Sequence, residues 1–210
     1  MRGKFITFEG GEGCGKSTQA QLLKTELERR GIEVVHTREP GGTVLAEKIR
    51  TLLKDEAQDP PCDRSEVLLF LAARAQLVEN VIIPALESGK WVISDRFSDS
   101  TIAYQGYGRG LPLGFLRDAN DFACKGLKSD LTLLLEVPPE TAAKRMRRRE
   151  EATGTAADRI ELAGDDFHDR LRRGFRVLAE AEPERITVID ASGTEEEVWD
   201  LVWKSTKRFL

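Results

Sequence analysis

This chain of 210 residues has few cysteines, a negative net charge and only short apolar runs. The three cysteines, Cys14, Cys62 and Cys124, are widely spaced, so they indicate neither a disulfide framework nor a zinc site. A formal net charge of −4 gives no overall basic signal for nucleic acid. We therefore expect a reducing, cytoplasmic setting and no nucleic-acid partner.

Apolar stretches are short throughout. The longest run, Val67–Ala73, is far below the ~20 residues that a membrane-spanning helix needs. The apolar run near the first residue is too short for a signal peptide. We expect no membrane partner, and we expect one domain over residues 1–210, since domains usually hold ~100–200 residues.

Short apolar runs alternate with longer helical patterns. Five runs predict buried strands, at Lys4–Phe8, Glu33–Thr37, Trp91–Asp95, Leu131–Val137 and Ile186–Asp190. The longest helical pattern covers Arg64–Gly89, with a kink expected before Pro84. This alternation predicts an α/β fold with a parallel sheet covered by helices on both faces. Such sheets bind ligands at the carboxyl ends of their strands.

The stretch "GGEGCGKS" (Gly10–Ser17) matches the phosphate-loop pattern G-x-x-x-x-G-K-[ST] and lies between a predicted strand and a predicted helix. Its glycines let backbone N–H groups approach phosphates, and the start of the helix adds partial positive charge. Lys16 can reach the β- and γ-phosphates, and Ser17 can hold Mg²⁺. The alternative is a plain glycine turn with a solvated lysine.

Residues of this loop are the candidate ATP-binding residues: Gly10, Gly11, Glu12, Gly13, Cys14, Gly15, Lys16, Ser17 and Thr18. A GTPase would need a base-reading N-K-x-D element, and neither of the two asparagines, Asn80 and Asn120, begins one. We therefore do not expect a GTP switch protein. A binding or regulatory ATPase stays open at this point.

A polar segment, "SDRFSDSTIAYQGYGRG", follows the third predicted strand. Asp95 would lie at the carboxyl end of that strand, near the metal and the phosphates. The planar fork of Arg96 suits a phosphate held by two hydrogen bonds. Four more side chains suit a sugar or a base, namely Ser100, Thr101, Tyr104 and Gln105. The alternative is a surface Asp–Arg pair that caps a helix.

Two further stretches allow two interpretations each. "REPGGT" (Arg38–Thr43) is either a ligand-facing loop at the end of the second strand or an ordinary Pro-Gly turn. Phe70 and Arg74 lie one helical turn apart, so they could stack on a planar base and bond its edge. They could equally be an ordinary core residue beside a surface residue.

The run Lys144–Arg149, "KRMRRR", carries five positive charges in six residues, and a small, polar stretch follows it. A solvated helix face is one interpretation. Nucleic-acid binding is a second, although no aromatic residues interleave with the run. The third is a lid over a donor nucleotide, whose arginine would stabilise charge on the transferred group, an effect worth ~10³–10⁵ in rate in related chemistry.

Taken together, these stretches resemble the bacterial thymidylate kinases, a family of the nucleoside monophosphate kinases. The resemblance rests on "FEGGEGCGKSTQ", "TREPGGT", "EVLLFLAARAQLVENVIIPAL", "SDRFSDSTIAYQGYGRG" and "DRIE" after the basic run. The combination of "TREPGGT" with "DRFxDSTxAYQG" is very specific, whereas the phosphate loop alone would indicate only a superfamily.

The resemblance implies Mg²⁺-dependent transfer of the γ-phosphoryl group of ATP to dTMP. It also implies a five-stranded parallel sheet of the P-loop NTP hydrolase type, a helical lid at about 145–160, and a homodimer. By the family pattern, Phe70 stacks on thymine, Arg74 bonds its edge and Arg96 holds the acceptor phosphate. The other implied acceptor residues are Glu12, Glu39, Pro40, Ser100, Thr101, Tyr104 and Gln105.

The family pattern also implies where the catalytic charges lie. The phosphate loop has Glu12 and Gly13 where one group of these kinases has an arginine, so the catalytic arginine is expected in the lid. We favour Arg149, then Arg148. The implied catalytic set is Lys16, Asp95, Arg96, Arg149 and Arg148, and the implied metal ligands are Ser17 and Asp95.

Two carboxylates, Glu12 and Glu136, need a separate interpretation, and three alternative functions stay open. Glu12 is expected to face the deoxyribose of dTMP and to accept a hydrogen bond from its 3′-hydroxyl. Glu136 stands where the family often has aspartate, so no role is assigned to it. The rival functions are a monophosphate kinase for another base, a non-catalytic ATP-binding module, and a nucleic-acid-binding ATPase.

Overall fold

The computed structural model describes residues 2–54, 60–154 and 163–210. The strands are β1 (Phe5–Glu9), β2 (Val34–Arg38), β3 (Trp91–Asp95), β4 (Leu131–Glu136) and β5 (Ile186–Asp190). They form one parallel sheet in the order β2-β3-β1-β4-β5, so that β1 is central. The predicted α/β class with a five-stranded parallel sheet is confirmed.

Helices lie between successive strands and after the last one. They are α1 (Lys16–Arg29), α2 (Val44–Lys54), α3 (Asp63–Leu77), α4 (Ile83–Glu87), α5 (Ser98–Thr101), α6 (Leu113–Cys124), α7 (Pro139–Thr153), α8 (Asp165–Ala181) and α9 (Glu195–Thr206). Two π-helical segments, Val78–Ile82 and Ile102–Gly108, continue α3 and α5.

The sheet is covered on both faces, because alternate residues of each strand enter different apolar clusters. Ile6 and Phe8 of β1 pack in a cluster with residues of α1 and α9. Phe5 of the same strand points the other way, into a cluster with Leu77 and Ile82. Each of these side chains is fully buried.

Strand ends differ from the sequence-based bounds by one residue at three strands. β1 begins at Phe5 rather than Lys4, and it includes Glu9, because Glu9 still pairs with Leu134 of β4. β2 is shifted in the same direction, since Arg38 pairs with Asp95 of β3. The partner strand thus sets the last paired residue, which the apolar pattern of a single strand does not reveal.

The long helical pattern before β3 is interrupted, as expected. Pro84 has no N–H to donate and its ring crowds the preceding turn. The π-helical segment Val78–Ile82 lies immediately before α4, which begins at Ile83 with Pro84 in its first turn. Among the described residues, Asp63–Glu87 is long and apolar enough to cross a membrane, but it packs in the core and buries the charged side chains of Glu66 and Arg74.

The basic run lies on α7, and Gly154, in the left-handed conformation, follows its last residue. The rest of the expected lid, up to residue 160, and the "DRIE" stretch at 158–161 fall outside the described residues. The single-domain organisation over 1–210 stays a prediction.

Candidate active site

The phosphate loop joins β1 to α1 and approaches neighbouring backbone so closely that glycine is required. Gly10 has φ +131°, and a Cβ there would lie 2.3 Å from the carbonyl oxygen of Leu135. At Gly13, with φ +70°, a Cβ would lie 2.6 Å from the carbonyl oxygen of Ala142. These contacts tie the loop to the end of β4 and to α7.

Lys16 begins α1 and folds back over the loop. Its Nζ donates to the carbonyl oxygens of Gly10 at 3.2 Å and Gly11 at 2.7 Å. Its ammonium group therefore lies within the ring of loop residues, where a phosphate chain would be bound. The phosphate-loop pattern predicts that this lysine reaches the β- and γ-phosphates, and that role stays a prediction.

The hydroxyl of Ser17, on α1, and the carboxylate of Asp95, at the carboxyl end of β3, lie next to each other. The hydroxyl of Ser17 donates to Oδ2 of Asp95 at 2.5 Å. Oxygen donors of this kind are the ligands that Mg²⁺ prefers, and Mg²⁺ is usually held by one or two carboxylates together with substrate phosphates. The pair therefore fits the predicted metal site.

Arg96 follows β3 directly and crosses to the phosphate loop. Its Nη1 donates to the carbonyl oxygen of Gly10 at 3.0 Å, and its Nη2 donates to Oε1 of Glu12. The guanidinium also lies over the ring of Tyr104, 4.8 Å from the ring centroid. The arginine expected to hold an acceptor phosphate is thus bonded to the loop expected to hold the donor.

Glu12 faces the same side of the loop as Arg96. The Tyr104 hydroxyl lies 3.4 Å from Oε1 of Glu12. Burial by itself raises the pKa of this carboxyl, but the nearby positive charges of Arg96, Lys16 and Arg149 outweigh burial and lower it to about 2. Glu12 is therefore an ionised acceptor of hydrogen bonds at neutral pH.

A cavity of about 500 Å³ brings together residues that lie far apart in the sequence. This volume falls in the range of small-molecule sites. Its predicted lining residues are Glu12, Gly13, Gly15, Lys16, Ser17, Thr18, Glu39, Pro40, Phe70, Arg74, Asp95, Arg96, Ser100, Thr101, Tyr104, Gln105 and Arg149. Of the other candidates, Gly10, Gly11 and Cys14 line a second cavity, described below, whereas Arg148 lines neither.

Arg74 is at the wall of this cavity with its guanidinium buried. The side chain is 1% exposed and forms an ion pair with Glu39 at 2.5 Å. The remaining N–H groups donate to Thr101 Oγ1 at 2.7 Å, Asn120 Oδ1 at 2.6 Å and the carbonyl oxygen of Phe97 at 3.1 Å. A bond from Arg74 to a base edge would have to replace one of these bonds, so that role stays a prediction.

Several lining residues were not predicted from the sequence. Arg50 and Lys54 of α2 line the cavity, and Arg50 also donates to the carbonyl oxygen of Pro40 at 3.0 Å. Arg145 of α7 lines it as well. The sequence contains one clue to Arg50 and Lys54. The helix that carries them, α2, begins directly after the "REPGGT" loop, so its side chains point toward the same site.

A second, larger cavity of about 1520 Å³ lies between the phosphate loop, the end of β4, α7 and α8. Glu12 and Arg149 line both cavities, so Arg149 lies where the two meet. Glu136 also lines the second cavity and accepts hydrogen bonds from Nε and Nη2 of Arg176 at 3.1 and 3.2 Å. This carboxylate, which had no assigned role, therefore joins β4 to α8.

A phosphate loop after the central strand, with an oxygen pair for a metal and two adjoining cavities, is typical of P-loop enzymes that transfer phosphoryl groups. The family model described as thymidylate kinase matches residues 8–202.

Individual thymidylate kinases are also similar to this chain. The chain is 50% identical to a thymidylate kinase of Desulfovibrio desulfuricans over 92% of its own length and 90% of the relative's. It is 49% identical to one of a Synechococcus species, over 97% and 95%. A crystal structure of thymidylate kinase from Ehrlichia chaffeensis matches with a TM-score of 0.77 and 36% identity, covering 98% of this chain and 99% of that one. The chain belongs to the thymidylate kinase family and is therefore a nucleoside monophosphate kinase.

The two adjacent arginines of α7, Arg148 and Arg149, can be distinguished by substitution. Because Arg149 lines both cavities and Arg148 lines neither, Arg149→Ala should lower kcat by about 10³-fold or more and raise KM for ATP much less. Arg148→Ala is the matched control, since it removes the same charge from the neighbouring position of α7. Steady-state kinetics of both variants decide, and a larger loss of kcat in Arg148→Ala would contradict the assignment.

Proposed function

We propose that this chain transfers the γ-phosphoryl group of ATP to dTMP, giving dTDP and ADP, as a step of dTTP synthesis. The observation that carries the proposal is one cavity lined by Lys16 of the phosphate loop, Arg96 and Phe70. A donor phosphate chain, an acceptor phosphate and a planar base would each have a matching group there. Family membership favours thymine over the other bases.

Alignment and charge neutralisation are the protein's main tasks in such a transfer. Lys16 and the N–H groups of the loop hold the donor phosphates. Arg96 anchors the acceptor phosphate, and Arg149 stabilises the negative charge on the group in transit. No strong general base is required, because the phosphate of dTMP is already anionic.

We propose Mg²⁺ at Ser17 and Asp95, with Asp95 acting directly or through water. The short contact between the two side chains supports this, because both supply hard oxygen donors beside the phosphate loop. When bound, the ion neutralises phosphate charge. Among the described residues no group of three or more His, Cys, Asp or Glu could hold a metal, so the remaining ligands would be water and phosphate oxygens.

The acceptor nucleoside is proposed to lie between Phe70 and Glu12. Phe70 is half-buried at the cavity and can stack on thymine. Glu12, with a carboxyl pKa of about 2, can accept a hydrogen bond from the 3′-hydroxyl. The remaining acceptor residues proposed are Glu39, Pro40, Arg74, Ser100, Thr101, Tyr104 and Gln105.

We further propose a homodimer in the cytoplasm. Phe115 and Phe122 are exposed and lie seven residues apart on α6, so they share one face of that helix. α6 packs against α3, which exposes Leu68. A second copy would cover these apolar groups. The described cysteines are free thiols, which fits a reducing compartment.

A panel of acceptors tests the activity. With labelled ATP and dTMP, dUMP, UMP, CMP, AMP or GMP, the highest kcat/KM should belong to dTMP. Lys16→Ala should lose most turnover yet bind dTMP nearly as wild type, because the hydrogen bonds of the lysine go to the phosphate loop. ADP formation that no acceptor stimulates would indicate an ATP-binding module, and a preference for another base would indicate a different monophosphate kinase.

Removal of divalent metal tests the Mg²⁺ proposal. Chelation should abolish transfer, and Asp95→Asn should raise the Mg²⁺ concentration for half-maximal rate by about 10–100-fold, since the carboxylate charge is lost. The measurement is initial rate against free Mg²⁺ at saturating substrates. An unchanged Mg²⁺ dependence in Asp95→Asn would remove this residue from the metal site.

Light scattering after size exclusion tests the dimer. The wild type should have twice the chain mass of 23.5 kDa, and Phe122→Glu should shift it toward the monomer because the ring is 86% exposed in one chain. Leu201→Glu on α9 is the matched control, an exposed apolar residue on a different helix. A wild-type monomer, or equal loss of dimer in both variants, would rule out this surface.

A further inference from the structure

Glu9, the last residue of β1, is a fully buried carboxylate for which the proposed reaction has no use. Its Oε1 accepts the backbone N–H of Phe97 at 2.8 Å and that of Ser100 at 3.2 Å. Its Oε2 accepts the hydroxyl of Ser100 at 2.6 Å. All three donors belong to the segment that follows β3, so this one carboxylate ties that segment to the central strand.

The segment held in this way is the one that orients Arg96. Arg96 has φ +73°, a left-handed conformation that is uncommon for a long side chain and persists only where the surroundings impose it. Its own N–H donates to the carbonyl oxygen of Phe8 at 2.9 Å, and the next N–H, of Phe97, donates to Glu9. Its Nη1 also lies 3.3 Å from the hydroxyl oxygen of Ser100, which Glu9 holds.

We propose that Glu9 is a positioning residue for the acceptor substrate: it fixes the turn from Arg96 to Ser100 so that the guanidinium of Arg96 meets the phosphate of dTMP. The inference rests on the proposed role of Arg96. Glu9 itself touches no substrate, because its carboxylate lies behind the turn, fully buried.

The charges around Glu9 suit this task and add a pH dependence. Burial first, and then the negative charge of Asp99, raise the pKa of Glu9 to about 7, while Arg96 opposes the rise. Arg74 and Tyr104 also face this carboxyl. The ionised form, which prevails above pH 7, can accept all three hydrogen bonds, whereas a proton on Oε2 would make that oxygen a donor and would reverse its bond with the hydroxyl of Ser100.

The first test is Glu9→Ala beside a matched control. KM for dTMP should rise by about 10–100-fold, the range expected when a reacting group is misplaced by about 1 Å, while KM for ATP stays within about twofold. Thr7→Val is the control, since Thr7 is buried on the same strand and face, and its Oγ1 lies 2.7 Å from Thr132 Oγ1. It should lower Tm without changing either KM.

The second test is Glu9→Gln, which keeps the shape and an acceptor oxygen but does not titrate. Near pH 7 its KM for dTMP should lie between those of the wild type and Glu9→Ala, because glutamine keeps an acceptor for the two backbone N–H groups but not the negative charge. The wild-type kcat/KM for dTMP, divided by that of the variant, should rise between pH 6 and pH 8. Ionisation of dTMP, with a second pKa of about 6, affects both enzymes and cancels in the ratio.

Two results would overturn the positioning role: an unchanged KM for dTMP in folded Glu9→Ala, or an equal rise in KM for both substrates. If Glu9→Ala does not fold, Glu9→Gln at pH 8 decides, and a KM for dTMP equal to that of the wild type would overturn the role. Failure of the proposed function is distinguishable, because it would appear as absent dTMP turnover in the wild type itself.

Discussion

The parallel pairing of β1 with β3 is the constraint on which the rest of the site depends. It places Phe8 opposite Asp95, so the phosphate loop and the segment of Arg96 leave the sheet side by side. The contacts Ser17–Asp95 and Glu12–Arg96 follow from this adjacency. A shift of one residue would turn every side chain of the strand to the other face and separate these groups.

A buried ion pair, Glu39 with Arg74, organises one wall of the first cavity in a similar way. Burying two charges is costly unless their hydrogen bonds are satisfied, and here the guanidinium also donates to Thr101 and Asn120. The loop after β2 is thereby joined to α3, α5 and α6 at one point. The wall of the cavity is therefore formed by groups that hold one another, which reduces the reorganisation needed when a ligand binds.

Local patterns in the sequence predicted the strands and the phosphate loop because these depend on neighbouring residues. The burial of Arg74 depends on partners 23 to 46 positions away, so no local pattern indicates it. From the sequence alone Glu9 is an ordinary residue at the end of a strand, because the hydrogen bond that it accepts from Phe97 is visible only in the structure. The choice between Arg148 and Arg149 depends on how α7 is rotated, since adjacent helical residues point about 100° apart.

Charge explains why the phosphate loop carries Glu12 while the basic residues lie on α7. Arg96 follows β3 and must come close to the loop, so a positive residue at position 12 would repel it. A carboxylate pairs with it instead, and the nearby positive charges keep the Glu12 pKa at about 2. With that position acidic, we expect the arginine proposed for the transferred phosphoryl group to come from another element. Arg149 of α7 lies beside both cavities, and the acidic loop and the basic helix are therefore one arrangement.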